Sequence, residues 1–243
     1  PSGYRITKFE DVNFNISGLF LYSSLIQNAI DIVKDKFSYT LPIKYVFGCP
    51  NLLWNGGRLI VNPYKTKYSL EEYEKEFARL ATYEIKPSIT FSNHLIDRHD
   101  LDDISCNQLL SLICKYNGKV ILTSDLLYDY IKNYYPKIEL QSSVIKVVLQ
   151  DGCGNLEFYK SLEKKYTKYV VHPNDNFNYK LLNYLDRDKV EILLNERCYF
   201  SCVQRKNHYE TIALEQYSQS KGIYLDAKRS EEHTSELQSR ITI

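Results

Sequence analysis

The feature that most constrains this chain is a strict alternation of short β-rich runs with amphipathic segments between residues 41 and 220. Such alternation implies parallel strands joined by right-handed crossover connections. The sequence therefore predicts an α/β fold with six β–α units, whose strands are expected at 43–47, 88–91, 119–123, 138–148, 169–171 and 189–194.

Two architectures satisfy this alternation, a closed barrel and an open doubly wound sheet. No Gly-x-Gly-x-x-Gly follows the first strand, so the dinucleotide fingerprint of an open sheet is absent. Polar residues stand at the C-terminal end of almost every strand, where barrels place their sites. We predict an incomplete (β/α)8 TIM-like barrel of about six β/α units. Its C-terminal strands are expected to be missing, or partly supplied by the N-terminal segment.

The chain divides into three predicted segments. Residues 1–40 form an N-terminal extension with one amphipathic helix, since apolar residues recur at helical spacing from Leu19 to Phe37. Residues 41–228 form the partial barrel. Residues 229–243 resemble a translated sequencing adaptor and are expected to be a non-native tail. The absence of methionine indicates a fragment.

Composition narrows the class of partner. The net charge of +1 is spread along the chain without a basic stripe, which argues against nucleic acid. No apolar run approaches the roughly 20 residues needed to cross a bilayer. The start of the chain does not look like a signal peptide, and the six cysteines are expected to be reduced, so we predict a cytoplasmic protein. We expect a small-molecule or modified macromolecular substrate, and homo- or hetero-oligomers are compatible with the sequence.

The predicted strand exits supply candidate substrate-binding residues. The loop 48–58 after the first strand contains the chain's one Trp, with glycines that allow close backbone approach to a ligand. Alternatively, the Trp is a hydrophobic plug for that loop. Other exits carry an Asn and a His that are not needed as helix caps, whereas Asp125 is expected to be an N-cap. The candidates are Trp54, Asn55, Arg58, Asn93 and His172.

The strongest cluster of chemistry-bearing residues follows the sixth predicted strand. Cys198 and Cys202 are four residues apart, and His208 follows six residues later. Thiolates and an imidazole so spaced can share a zinc ion or contribute to an iron–sulfur cluster. Cys49, at the first strand exit, is a possible further ligand. The alternative is that the cysteines simply pack the start of a helix.

Polar residues around this motif are candidates for catalysis. Glu196 is the best general-base candidate because it is a carboxylate beside the cysteines, although it can instead pair with Arg58 or Arg205. Arg205 and His208 are further catalytic candidates, and Asn195 is a substrate-binding candidate.

The block 190–198, with Cys202, Arg205, His208 and Tyr209, resembles uncharacterised bacterial barrel proteins. Those proteins are similar to the collagenase-like peptidase family and to its iron–sulfur relatives in anaerobic ubiquinone hydroxylation. Segments 54–58 and 90–93 extend the likeness to about residues 43–215. The resemblance implies a TIM-like barrel with a cysteine-ligated cluster at its mouth. Four cysteines bind the cluster in the iron–sulfur relatives; here Cys198 and Cys202 match, Cys49 is possible and the fourth is unassigned.

Three functions remain open from the sequence. The first is a barrel enzyme with a cysteine-ligated metal or iron–sulfur centre, in which Glu196 is the acid/base and Asn93, Arg58 and His172 orient the substrate. The second is a metal-free hydrolase or lyase that uses Glu196, Arg58 and His208. The third is a non-catalytic barrel that grips a small ligand through Trp54 and loop asparagines.

Overall fold

The computed structural model describes residues 12–57, 68–194, 196 and 198–223, and its centre is a seven-stranded sheet. Every neighbouring pair of strands is parallel, and the strands lie in chain order from first to last. A doubly wound sheet would reverse its strand order, so the order is that of a barrel. The strands are β1 (Phe14–Ser17), β2 (Ile43–Gly48), β3 (Lys86–Phe91), β4 (Lys119–Leu122), β5 (Glu139–Ser142), β6 (Lys168–Val170) and β7 (Val190–Glu191).

The sheet curls until its two edge strands meet. In a flat sheet, β1 and β7 would be separated by six strand spacings, or roughly 29 Å. Instead the Asn15 Nδ2 of β1 donates a 2.6 Å hydrogen bond to the Glu191 Oε1 of β7. This confirms the predicted fold class, an incomplete (β/α)8-type barrel. The first strand comes from within the segment 1–40, as the alternative with an N-terminal contribution predicted.

Helices connect consecutive strands. Their starts follow local capping chemistry: Ser69 and Glu72 form the capping box that opens α2. The prediction that Asp125 is an N-cap is wrong by one residue, because Ser124 caps α4 and Asp125 is its first residue. In the described residues, no helix is long and apolar enough to cross a membrane. The helices are α1 (Ser23–Phe37), α2 (Leu70–Ala81), α3 (Ile104–Lys115), α4 (Asp125–Tyr134), α5 (Val144–Leu149), α6 (Leu156–Lys165), α7 (Tyr179–Leu182) and α8 (Arg205–Ser220).

The predicted strand at 138–148 is two elements. Only Glu139–Ser142 is a strand, and Val144–Leu149 is the helix α5. The Ser143 side chain accepts a hydrogen bond from the Ile145 N–H, at 3.1 Å, and so begins the helix. The helical part, 144–148, consists mostly of the β-branched residues Val and Ile, which are more common in strands, and this explains the error.

Charged and polar side chains fill the N-terminal layer of the barrel interior. The Lys119 side chain is 1% exposed, and its Nζ lies 3.1 Å from Glu191 Oε1 and 4.1 Å from the centre of the Tyr45 ring. Gln141 also donates to Glu191, and Tyr45 donates to Glu139. Barrel interiors are usually filled with branched aliphatic side chains. In this barrel the N-terminal layer of the interior is filled instead by paired charges and hydrogen-bonded polar groups.

Candidate metal centre

Three potential metal ligands converge beyond the end of β7. The Sγ atoms of Cys198 and Cys202 and a ring nitrogen of His208 all lie within 4.8 Å of one another. All three side chains are partly exposed. Around a tetrahedral zinc, with Zn–S bonds of about 2.3 Å, neighbouring thiolates are roughly 3.8 Å apart. Closing this group around one ion therefore takes movements of about an ångström.

Local structure explains why these residues meet. The Cys202 N–H donates to the Tyr199 carbonyl at 3.1 Å, and Ser201 adopts a left-handed φ of 58°. These features fold residues 198–202 into a tight turn. Helix α8 begins three residues later, and its first turn carries His208, whose N–H bonds to the Gln204 carbonyl. The two cysteines on the 198–202 turn therefore face His208 on the first turn of α8.

A buried ion pair supports the turn. The Arg205 guanidinium binds both carboxylate oxygens of Glu196, at 2.8 and 2.7 Å, and also reaches Asn174 Oδ1 at 3.1 Å. Both side chains of the pair are less than a tenth exposed. Burial alone would lower the pKa of Arg205, but the Glu196 carboxylate more than offsets it. The pairing of Glu196 with Arg205, which was the alternative to general-base catalysis, is the arrangement that the structure has.

Helix α8 lies across the C-terminal ends of the strands. The Ala213 carbonyl accepts a hydrogen bond from Asn93, just after β3. Tyr217, in the last turn of the helix, and Lys221, directly after it, bind the Asp100 carboxylate at 2.8 and 2.6 Å. At its other end the helix contacts the loop after β6 and the turn between α5 and α6. The helix therefore covers part of the face where barrel enzymes place their sites.

Three of the residues predicted to bind substrate are buried inside the protein. Trp54, Asn55 and Asn93 are fully buried. The Trp54 Nε1–H donates to the Asp100 carbonyl at 2.7 Å, as expected for a plug of its loop. Asn55 accepts from Gly57 and Thr90, and Asn93 donates to the Asn55 carbonyl. Their polar atoms hold the mouth of the barrel together, and none of the three side chains faces solvent. A substrate-binding role for them stays a prediction.

The glycine at position 56 has the same structural role. A Cβ built there would lie 2.5 Å from the Asn93 Cα, so only glycine permits this approach. The predicted close backbone contact at this loop is therefore made with the protein itself. A Cβ at Gly57 would lie 3.1 Å from the Cys49 Sγ, which places Cys49 in this loop. The group of ligand atoms within 4.8 Å of one another does not include Cys49, so its role as a further ligand stays a prediction.

His172 is a cap, although the sequence indicated that it was not needed as one. Its Nδ1 accepts a hydrogen bond from the Asn174 N–H at 3.1 Å. Burial, and then the charge of Arg205, lower the pKa of His172, which favours the neutral imidazole that can accept that bond. Two other predicted substrate-binding residues, Arg58 and Asn195, lie outside the described residues.

One half-buried histidine received no role from the sequence. His94 follows Asn93 at the β3 exit, and its Nδ1 is buried without a hydrogen-bond partner among the described residues. Burial lowers the pKa of His94, and the charge of Glu210 on α8 opposes that shift. The sequence signal for a role of His94 was its position directly after a strand. The structure adds that Glu210 of α8 lies close enough to affect its pKa.

Comparisons with known proteins give one structural similarity. No described protein family matches the chain, and no curated sequence matches it significantly. The crystal structure of a sugar phosphate isomerase/epimerase from Parabacteroides distasonis is similar over 88% of this chain and 96% of that one, at 9% sequence identity and a TM-score of 0.42. That level assigns no function. The collagenase-like peptidase family is not matched, so the part of the predicted resemblance that holds is the barrel architecture.

Proposed function

We propose that this protein is a metal-dependent barrel enzyme in which Cys198, Cys202 and His208 bind one Zn²⁺. The observation that carries the proposal is the convergence of the three ligand atoms within 4.8 Å. Two thiolates and one imidazole are a known ligand set of catalytic zinc, with water or substrate at the fourth position. The partial exposure of the ligands is compatible with entry of both ion and water.

The same ligand set favours a single ion over an iron–sulfur cluster. Cubane and two-iron clusters are normally held by four cysteine thiolates. Among the described residues, the group contains two thiols and one imidazole, and Cys49 lies elsewhere. Zinc accepts this mixture of sulfur and nitrogen donors at tetrahedral geometry.

The chemistry of such a centre is activation of water or polarisation of a carbonyl. Zinc lowers the pKa of a bound water to about 7, which generates a nucleophile at neutral pH. The protein's part is to hold the ligands: Arg205 ties Glu196, Asn174 and the Tyr199 carbonyl together around the turn. Arg205 and Glu196 are therefore positioning residues in this proposal, and the reaction is hydrolysis or lyase chemistry on a carbonyl-containing substrate.

Metal analysis tests the proposal. Protein purified without oxygen is expected to bind one zinc per chain. Cobalt substitution is expected to give the intense visible bands of a tetrahedral site with thiolate charge transfer. Cys198→Ser, Cys202→Ser and His208→Ala should each weaken binding by at least tenfold, whereas Cys49→Ser should leave it unchanged.

The other outcomes are informative. Binding of about four irons and four sulfides per chain would replace the zinc site with a cluster. Absence of zinc, iron and sulfide would overturn the proposal. Loss of binding in Cys49→Ser would show that the ligand set is wrong.

A further inference from the structure

We propose that Cys198 and Cys202 form a reversible dithiol oxidation site, and that a disulfide between them releases the metal. The release of metal rests on the proposed function, but formation of the disulfide does not. The two Sγ atoms lie within 4.8 Å of each other, and both side chains are partly exposed.

The turn between the cysteines brings them into range for a bond. A disulfide needs an S–S separation of about 2.05 Å, with Cβ atoms about 3.5–4.5 Å apart. The Cys202 N–H to Tyr199 carbonyl bond and the left-handed Ser201 already fold residues 198–202 back on themselves. Rotation about the two Cα–Cβ bonds then has less than 3 Å of separation to close.

Little packing opposes that movement. Tyr199 is 87% exposed and Phe200 65% exposed, so the turn is not held by an apolar core. The backbone of the turn is anchored, because the Tyr199 carbonyl accepts a hydrogen bond from Arg205 and the Ser201 N–H donates to Asn174. The disulfide therefore forms by rotation of the two cysteine side chains, while the turn and the start of α8 stay in place.

The other cysteines offer a contrast within the same chain. Cys106 is fully buried, and burial raises the pKa of its thiol. Cys114 lies eight residues further along α3, or roughly 12 Å along the helix axis. Cys153 is exposed but is not in the ligand group. The close pair is therefore distinguished by geometry rather than by exposure.

Hydrogen peroxide supplies the oxidising equivalents in the proposed step. One thiolate attacks a peroxide oxygen, forming a sulfenic acid and releasing hydroxide. The second thiolate attacks the sulfenic sulfur, forming the S–S bond and releasing a second hydroxide. Two thiolates lose two electrons, and peroxide is reduced to two hydroxides. The bridged sulfurs have lost the negative charge that binds the cation, so Zn²⁺ leaves.

The test uses the full chain in zinc-loaded and metal-free forms. Each form is treated with hydrogen peroxide, released zinc is measured with a chromogenic chelator, and free thiols are then blocked. Trypsin cleaves after Arg197 and Arg205, so both cysteines fall in one peptide, residues 198–205. The expected peptide resists alkylation and is lighter by two hydrogen atoms, and dithiothreitol restores both alkylation and zinc binding.

The variants separate this proposal from the preceding one. Cys153→Ser should behave as the parent protein does, and Cys198→Ser should give no intrapeptide bridge. A bridge in protein that never binds zinc would support the dithiol site and refute the zinc proposal. Zinc binding without a bridge, under conditions that oxidise Cys153, would overturn the dithiol site. Zinc release without a bridge would overturn it equally.

Discussion

The ion pair inside the barrel makes a quantitative prediction about Glu191→Gln. Glu191 accepts hydrogen bonds from Asn15, Gln141 and Lys119, and the Lys119 side chain is only 1% exposed. The substitution preserves the size of the side chain but removes the negative charge. Lys119 therefore loses its carboxylate partner. The other acidic side chain in the interior, Glu139, is already bonded to Tyr45 and Lys86.

Removing one partner of a buried pair typically costs about 3–5 kcal/mol, because the remaining charge is uncompensated. For a chain of 243 residues, each kcal/mol lowers the melting temperature by roughly 2–4 °C. We expect the free energy of unfolding to fall by about 3–5 kcal/mol and the melting temperature by roughly 6–20 °C. Urea denaturation can be followed by the emission of Trp54, which is the chain's one tryptophan and is fully buried.

The loss should depend on pH with a defined sign. Burial lowers the pKa of Lys119 from its ordinary value of 10.5, and removal of Glu191 lowers it further. Below pH 10.5 the unfolded chain then binds more protons than the folded one, so stability rises with pH. The deficit of Glu191→Gln relative to the parent protein should therefore shrink between pH 7 and pH 10.

Two controls make the reasoning refutable. Lys86→Met breaks a more exposed pair, with side chains 38% and 31% exposed, and should cost less than about 1 kcal/mol. Lys119→Met combined with Glu191→Gln removes both charges and should recover most of the stability. A Glu191→Gln loss no larger than that of Lys86→Met, or a deficit that grows with pH, would show that the interior is solvated.

Three further outcomes follow from the contacts at the strand exits. Tyr159→Phe removes a buried hydroxyl that donates to Asp175 at 2.7 Å, so it should cost about 1–3 kcal/mol in urea denaturation. Asp100→Asn weakens the attachment of α8 through Lys221, and should speed amide hydrogen exchange across that helix without changing exchange in α2. Burial would raise the pKa of Asp100, but hydrogen bonds from Lys221, the Asp97 N–H and Tyr217 outweigh it and lower the pKa. The attachment of the helix should therefore weaken as the pH falls below about 4. Gly56→Ala introduces a Cβ 2.5 Å from backbone and should destabilise the protein by about 1–3 kcal/mol, whereas no loss in denaturation experiments would mean that the loop moves freely.

Much of the architecture was accessible from the sequence because its signals are local. The capping box at Ser69 and Glu72 acts within four residues, and it opens α2. Alternating segments imply parallel strands through the handedness of crossovers, which is a rule about neighbours in the chain. The error at 138–148 arose because the helix at 144–149 is rich in β-branched residues, whose strand preference is overridden by the tertiary structure.

The candidate site was predicted in part for the same reason. Cys198, Cys202 and His208 are close in the sequence, so one turn and the start of one helix suffice to bring them together. Cys49 and Asn93 are distant from that motif, and their expected roles depended on which loops meet across the barrel mouth. Such contacts join residues far apart in the sequence, as the bond from Asn93 to Ala213 of α8 does, and no local pattern determines them.

The sequence by itself determined the order and direction of the strands, and the spacing of the ligand group, because both depend on residues a few positions apart. The tertiary structure decided the rest. It curled the sheet until Asn15 met Glu191, it paired Lys119 with a carboxylate 72 residues away, and it laid α8 over Asn93. Such contacts arise when the chain buries its apolar surface while every buried charge and amide finds a partner, a condition imposed on the whole fold at once.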